Sequence, residues 1–348
     1  MRLPLLLLSL LFAGAAAAQQ QGPGPMPQDP VKSLQQRQNA QPGNNNEAWR
    51  QARSGNPEYT TTTVKGRETD VLIQSWGDTW RRIRNGPVMF YGGWLLVLAV
   101  AAMLGLYLWK GPVKLSEPLS GRQMRRFTAL EMTVHWSTAI SFCLLGLSGL
   151  IMFFGKTVLL PLMGYTLFAL LTQLSKNLHN FIAPLFIVSA AVMVIIWARD
   201  NLLRSYDFTW LRRAWAFFLK NEHLPSGRFN GGEKLWFWGG VLFLSIIMAW
   251  SGLVLLFPNF DQTRHTMQEA WIWHVSAAML YIAAALGHIY MGTIGVQYTY
   301  GNMRHGYCDE TWGKEHHRIW YDEVKAGRRA PAGGAVPAGA PHMKEEER

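Results

Sequence analysis

Five stretches of the chain run without a single Lys, Arg, Asp or Glu: residues 88–109, 132–155, 177–198, 235–260 and 270–300. An α-helix rises about 1.5 Å per residue and a bilayer's hydrocarbon core is about 30 Å thick, so each run can cross it. Lipid offers backbone groups no hydrogen bonds, and helices satisfy them within one segment. Composition agrees, with 49% of the 348 residues hydrophobic and 16% charged against roughly 25% in an average soluble domain. Trp94, Trp109, Trp197, Trp236, Trp238, Trp271 and Trp273 stand near the ends of these runs, where interfacial rings belong. A sixth uncharged run, 157–175, follows the second span after only Gly155 and Lys156 and carries Pro161 and Gly164. With no room for a return turn, it is expected to form an interfacial or re-entrant segment.

Ahead of the spans, residues 1–18 place Arg2 before an apolar run and end in Ala16-Ala17-Ala18, the layout of a cleavable export signal. Residues 19–57, rich in Gln, Asn, Pro and Gly, are expected to be disordered. The β-branched stretch at 60–74 is expected to form a strand or hairpin on the exported side. The organisation expected is therefore a signal peptide at 1–18, an exported segment at 19–87, a first transmembrane helix at 88–109, a four-helix domain at 120–300 and a tail at 301–348. Within that tail, 326–341 reads as a disordered end.

Basic residues set the orientation. Segments 110–131, 199–234 and 301–348 hold five, seven and eight Lys or Arg, whereas the alternate loops hold two (Lys156, Lys176) and one (Arg264). The first group is expected in the cytoplasm, with the N-terminus in the periplasm and the C-terminus cytoplasmic across a bacterial inner membrane. Arg81, Arg82 and Arg84 run against this bias, but long exported segments cross largely regardless of charge. Most of the net charge of +11 then belongs to a cytoplasmic surface facing anionic lipid or a partner protein, and nucleic acid is not expected.

Four histidines fall inside the spans: His135, His179, His274 and His288. Ionisable groups in hydrocarbon are expensive and mark sites. His274 and His288 are 14 residues apart, about 21 Å along a helix and within roughly 40° of the same face. One helix thus presents a ring near each surface. Topology puts His135 level with His288 on the cytoplasmic side, and His179 level with His274 on the outer side. Two imidazoles facing each other suit the axial positions of a b-type haem, so the residues read as two bis-histidine sites with four metal ligands. Met132 and Met291 are alternative ligands that the depth match disfavours. Cys143 and Cys308 are too few for an iron–sulfur cluster, and neither lies in a C-x-x-C-H haem-attachment string.

The strings RFTALEMTVHW (126–136), SGRFNGGEKLWFW (226–238), GHIYMGTIG (287–295) and GYCDETWGKEHHRIWYDEV (306–324) resemble the gamma, or cytochrome b, subunit of respiratory formate dehydrogenases. Residues 66–74 and the first span are similar to longer members of that family. The resemblance implies an all-α, four-helix bundle with two haem b groups, His179 with His274 outside and His135 with His288 inside. It also implies a quinone acceptor beside the cytoplasmic haem, bound through Asn230, His288 and nearby backbone. Implied partners are an iron–sulfur beta subunit and a catalytic molybdenum or tungsten alpha subunit that oxidises formate. The cytochrome b subunits of nickel–iron hydrogenases and thiosulfate reductases share the plan and stay open as alternatives.

Asn230 also reads as a helix cap before Gly231-Gly232. Glu131 reads as a helix-start charge beside Arg126, with a proton relay as the alternative. His316 and His317 are expected on an exposed basic helix, and they and Cys308 carry no assigned role. A haem-free anchor would not need four depth-matched histidines. A transporter would carry charge at mid-depth, which these spans lack.

Overall fold

The computed structural model describes residues 75–260 and 262–329. The expected export signal, the expected disordered stretch at 19–57, the strand or hairpin at 60–74 and most of the disordered end lie outside the described residues. The chain divides into two compact units, residues 1–82 and 83–348. Of the first, only the start of helix α1 (Ser75–Ile83) is described. There Arg81 and Arg82 donate to Asp78 at 2.7 and 2.8 Å, which locally offsets two of the basic residues preceding the first span.

The second unit opens with a π-type turn, Arg84–Val88, and helix α2 (Met89–Lys110). Strand β1 (Gln123–Arg125) leads to helix α3 (Ala129–Val158), which starts at a capping box. Thr128 Oγ1 accepts from Glu131 N at 3.2 Å, and Glu131 Oε2 accepts from Thr128 N at 2.8 Å. Helix α4 (Leu160–Trp197) returns antiparallel against α3. Helix α5 (Ser205–Lys220) ends at Asn221, in the left-handed region at φ 53°. Helix α6 (Gly231–Leu235) runs through π-helical Trp236–Leu244 into helix α7 (Ser245–Leu256). Helix α8 (Arg264–Tyr290) ends in a further π turn, Met291–Gly295. Helix α9 (Thr299–His305), strand β2 (Tyr307–Asp309) and helices α10 (Glu310–His316) and α11 (Arg318–Lys325) complete the described chain.

Five helices among the described residues are long and apolar enough to cross a membrane, giving an all-helical multi-pass protein. Helix α2 lies along α8, with Val88, Met89, Leu95 and Leu96 packed around Phe153, Val275 and Met279. Two boundaries differ from expectation. The run at 157–175 does not form a separate interfacial or re-entrant piece; residues 165–175 belong to the same helix as the third span. Pro161 sits in the first turn, where no backbone donor is needed, and Gly164 (φ 75°, ψ 173°) makes the only break. The last span begins at Arg264, capped by Thr263, rather than near 270, and leaves the bundle at Gly295.

Residues 301–325 form a folded cap. Strands β1 and β2 pair antiparallel, with Met124 opposite Cys308. Gly306, at φ 82°, turns its carbonyl to accept from Arg126 N and Phe127 N at 2.9 and 3.0 Å. A Cβ there would lie 2.7 Å from Phe127 O, so no other residue fits. Cys308, Trp312, Trp320 and His317 are buried, and so is His316. The expectation of an exposed basic helix at His316-His317 is therefore corrected: the indole of Trp312 lies beside both imidazoles, at 5.0 and 5.1 Å, which fixes the helix inward. His317 Nδ1 bonds Gly227 O at 2.8 Å.

Two buried arginines join this cap to the bundle. Arg126 Nη2 donates to Arg228 O at 2.8 Å and Arg228 Nη2 donates to Arg126 O at 2.6 Å. Their charges meet Glu233 (3.1 Å), Glu131 (2.7 Å) and Asp200 (2.7 Å). Beside them Lys234 Nζ donates to Asp207 at 2.7 Å and to Leu202 O at 3.0 Å, both side chains being buried. Each ion has a partner of opposite charge, the first condition under which buried charge is tolerated, although among the described residues Arg126 Nε and Asp207 Oδ1 make no hydrogen bond.

Two outcomes are expected. Asp207→Ala strands the Lys234 ammonium and should destabilise the cap by about 3–5 kcal/mol, read as a lower unfolding temperature in detergent; an unchanged temperature contradicts the pairing. Burial, then His223 and Arg126, pushes His316 down to about 3, and burial with Arg126 holds His317 well below 6.5. Between those values and about 6.5 the unfolded chain binds more protons than the folded one. Stability is therefore fullest above pH of about 6.5 and falls on acidification. Thermal unfolding at pH 7.5 and 5 should show the drop, and His316→Gln should flatten it.

Candidate functional site: two facing histidine pairs

The cap covers one end of the bundle, and the four histidines sit at two levels relative to it. His135 lies one turn beyond Glu131 on α3, and His288 lies two residues before the end of α8. Their ring centres are 6.3 Å apart. At the uncapped end His179 of α4 faces His274 of α8 with ring centres 6.1 Å apart. Metal–imidazole nitrogen bonds of about 2.0 Å on both sides of one atom place ring centres roughly 6.2 Å apart. Both pairs thus stand at a separation that a single metal atom would span. Among the described residues no group of three or more His, Cys, Asp or Glu could hold a metal ion.

The uncapped pair is oriented by hydroxyls. Ser148 Oγ lies 2.9 Å from His179 Nδ1, and Ser251 Oγ lies 3.1 Å from His274 Nδ1. Each serine donates its only proton one turn back, Ser148 to Leu144 O (2.7 Å) and Ser251 to Ile247 O (2.6 Å). Each Oγ is then left as an acceptor, so Nδ1 carries the imidazole proton and Nε2 keeps its lone pair for the gap. The residue after each serine is glycine. A Cβ on Gly149 would stand 3.5 Å from His179 Cε1, and one on Gly252 would stand 3.3 Å from His274 Cε1. Helices α3 and α7 therefore cradle the rings of α4 and α8 with the same Ser-Gly-Leu string, at 148–150 and 251–253. A cavity of about 410 Å³ opens here, lined by His179, His274, Gly149, Gly252, Arg84 and Lys176 among others.

The capped pair is built differently. His288 stacks on Trp236 at 5.0 Å and 14°, a ring supplied by the π-helical segment. His135 meets Trp136 edge-on at 5.5 Å and lies 6.3 Å from Trp197. Among the described residues His135 Nδ1, though buried, has no hydrogen-bond partner. Trp197 Nε1 donates to Glu131 at 2.8 Å, which links this level to the arginines of the cap. Glu131 is thus a capping residue and the acceptor for Trp197 and Arg228 together.

Between the levels, Tyr281 stands seven residues from each histidine of α8 and bonds Ser245 Oγ at 2.9 Å. Phe142 and Trp236 pack against it at 4.7 and 5.6 Å, forming an aromatic column. Asn230 caps α6, its Oδ1 accepting from Glu233 N at 2.9 Å. Sequence reasoning missed Ser148, Ser251, Tyr281 and Trp236. The repeated Ser-Gly-Leu string was the readable signal for the serines, and the midpoint between His274 and His288 for the tyrosine. No sequence signal set Trp236 apart from the other interfacial tryptophans.

Comparison with known proteins bears on this arrangement. The family described as prokaryotic cytochrome b561 matches residues 126–299, which contain all four histidines. The formate dehydrogenase cytochrome b556(fdo) subunit of Escherichia coli K12 is 30% identical over 203 residues, covering 58% of this chain and 92% of the relative. The nitrate-inducible formate dehydrogenase cytochrome b556(Fdn) subunits of E. coli K12 and Shigella flexneri are each 26% identical over 200 residues, covering 56% of this chain and 89% of theirs.

Proposed function

The chain belongs to the prokaryotic cytochrome b561 family as a cytochrome b subunit of a formate dehydrogenase, an oxidoreductase complex, and from that premise we propose that it carries electrons between two haem b groups to a quinone. The observation that carries the reading is the pair of facing imidazoles at each end of one bundle, with ring centres 6.3 and 6.1 Å apart. His135 with His288, and His179 with His274, would supply the axial ligands. A haem held by two histidines would supply one-electron transfer and leave no position for substrate.

The chain's own residues supply the rest. Ser148 and Ser251 hold the Nδ1 protons so that each Nε2 faces inward. Gly149 and Gly252 leave room for a flat macrocycle beside the rings. Arg84 and Lys176, lining the same cavity, bring positive charge to the carboxylates on a haem's edge. Tyr281, Phe142 and Trp236 fill the space between the two levels and exclude water from it.

Orientation follows from charge. The cap, with the basic segments 110–131, 199–234 and 301–348, faces the cytoplasm of a bacterial inner membrane, and the His179/His274 level faces the periplasm. A quinone is reduced beside the capped pair, near Asn230 and His288. The Asn230 oxygen is committed to Glu233 N, so its amide N–H groups are what it offers a quinone oxygen. Electrons enter at the uncapped end from an iron–sulfur beta subunit, and formate is oxidised on a molybdenum or tungsten alpha subunit. Two cysteines on this chain cannot provide that cluster chemistry.

The expected result for His274→Ala is a reduced-minus-oxidised spectrum with about half the b-type α-band, the capped site being retained. Retention of the full band, or loss of all of it, contradicts the pairing.

A further inference from the structure

The two histidine pairs differ in what touches their outer nitrogens. At the uncapped level both Nδ1 atoms face a serine oxygen, at 2.9 and 3.1 Å. Those serines are buried, and their own protons are tied to the carbonyls of Leu144 and Ile247. The bond therefore runs in one direction, from imidazole N–H to hydroxyl oxygen. At the capped level His288 has an indole face against it, and among the described residues buried His135 Nδ1 has no acceptor.

A hydrogen bond donated from Nδ1 makes the imidazole a stronger base at Nε2. A more basic axial ligand stabilises ferric over ferrous iron, and second-shell hydrogen bonding is one of the protein's levers on haem potential. Low dielectric around these helices strengthens the effect. We propose that Ser148 and Ser251 are positioning residues that lower the potential of the uncapped haem below that of the capped one, biasing electrons toward the cap. This rests on the bis-histidine reading above and adds the residues that would set the driving force of the internal step. With haem bound at both levels, the His179/His274 site would give up one electron and the His135/His288 site would take it up, so the exchange balances within the chain. The Nδ1 and serine protons stay where they are, so no proton moves with it.

Potentiometric titration of the full-length chain in detergent, followed at the α-band, tests this. Wild-type protein should titrate as two one-electron components, and His274→Ala should remove the lower one. In the Ser148→Ala/Ser251→Ala double variant the lower component should rise while the upper one holds. The expected size is on the order of a tenfold change in the electron-sharing equilibrium, at the low end for loss of such a partner, or about 59 mV for one electron. Threonine at both positions keeps the hydroxyls and should restore the original value, which a merely structural role would not require. Should the double variant lose its lower component, each single alanine variant is titrated and should show a smaller rise. Two loaded haems whose potentials ignore every serine replacement, or a shift confined to the upper component, overturns the proposal. Wild-type chain without a b-type band would instead overturn the haem reading beneath it.

Discussion

An imidazole inside hydrocarbon is costly unless its polarity is matched, and the bundle is arranged around four such rings. One helix, α8, carries two such rings 14 residues apart, and the neighbouring helices deliver what each ring needs. At the uncapped end α3 and α7 provide a hydroxyl for Nδ1 and a glycine beneath Cε1, while α4 brings the facing ring. At the other end α3 brings the facing ring and the π-helical segment brings Trp236. In lipid there is little hydrophobic drive between helices, so these polar contacts and small-residue cradles determine register.

The cap solves a second electrostatic problem at the membrane edge. Arg126 and Arg228 exchange hydrogen bonds through each other's carbonyls and spend their charge on Glu131, Glu233 and Asp200. Glu131 then reaches Trp197, whose ring borders His135. A buried charge network thus ends one side chain from a proposed haem ligand. The same carboxylate closes the N-terminal capping box of α3, so the start of that helix and the level of His135 are fixed together.

Much of this was legible in the residues. The five uncharged runs, the four histidines within them and the two-level spacing of His274 and His288 follow from periodicity and the cost of polarity in lipid. The continuity of 165–175 with the third span was not legible, because Pro161 and Gly164 signal a break whether the chain re-enters the membrane or makes one sharp bend; here the backbone departs from helical geometry at Gly164 and the helix resumes. The folded cap was missed for a related reason. Its sequence is charged and reads as solvent-facing, yet Arg126, Arg228, Glu131 and His317 bury by pairing with segments 90 to 102 residues away, which no local pattern encodes. Asn230 was read both ways, and the structure shows it as a cap. The Ser-Gly-Leu repeat was visible but had no meaning until each copy was seen beside an imidazole.

The central claim is that four histidines close the axial positions of two haems in one chain. Haem extraction per mole of purified full-length protein, combined with exposure of the reduced protein to carbon monoxide, tests it most directly. The account predicts two b-type haems per chain and a reduced spectrum that carbon monoxide leaves unchanged, because neither iron has an open position. One haem per chain, or a spectrum shifted by carbon monoxide, contradicts it.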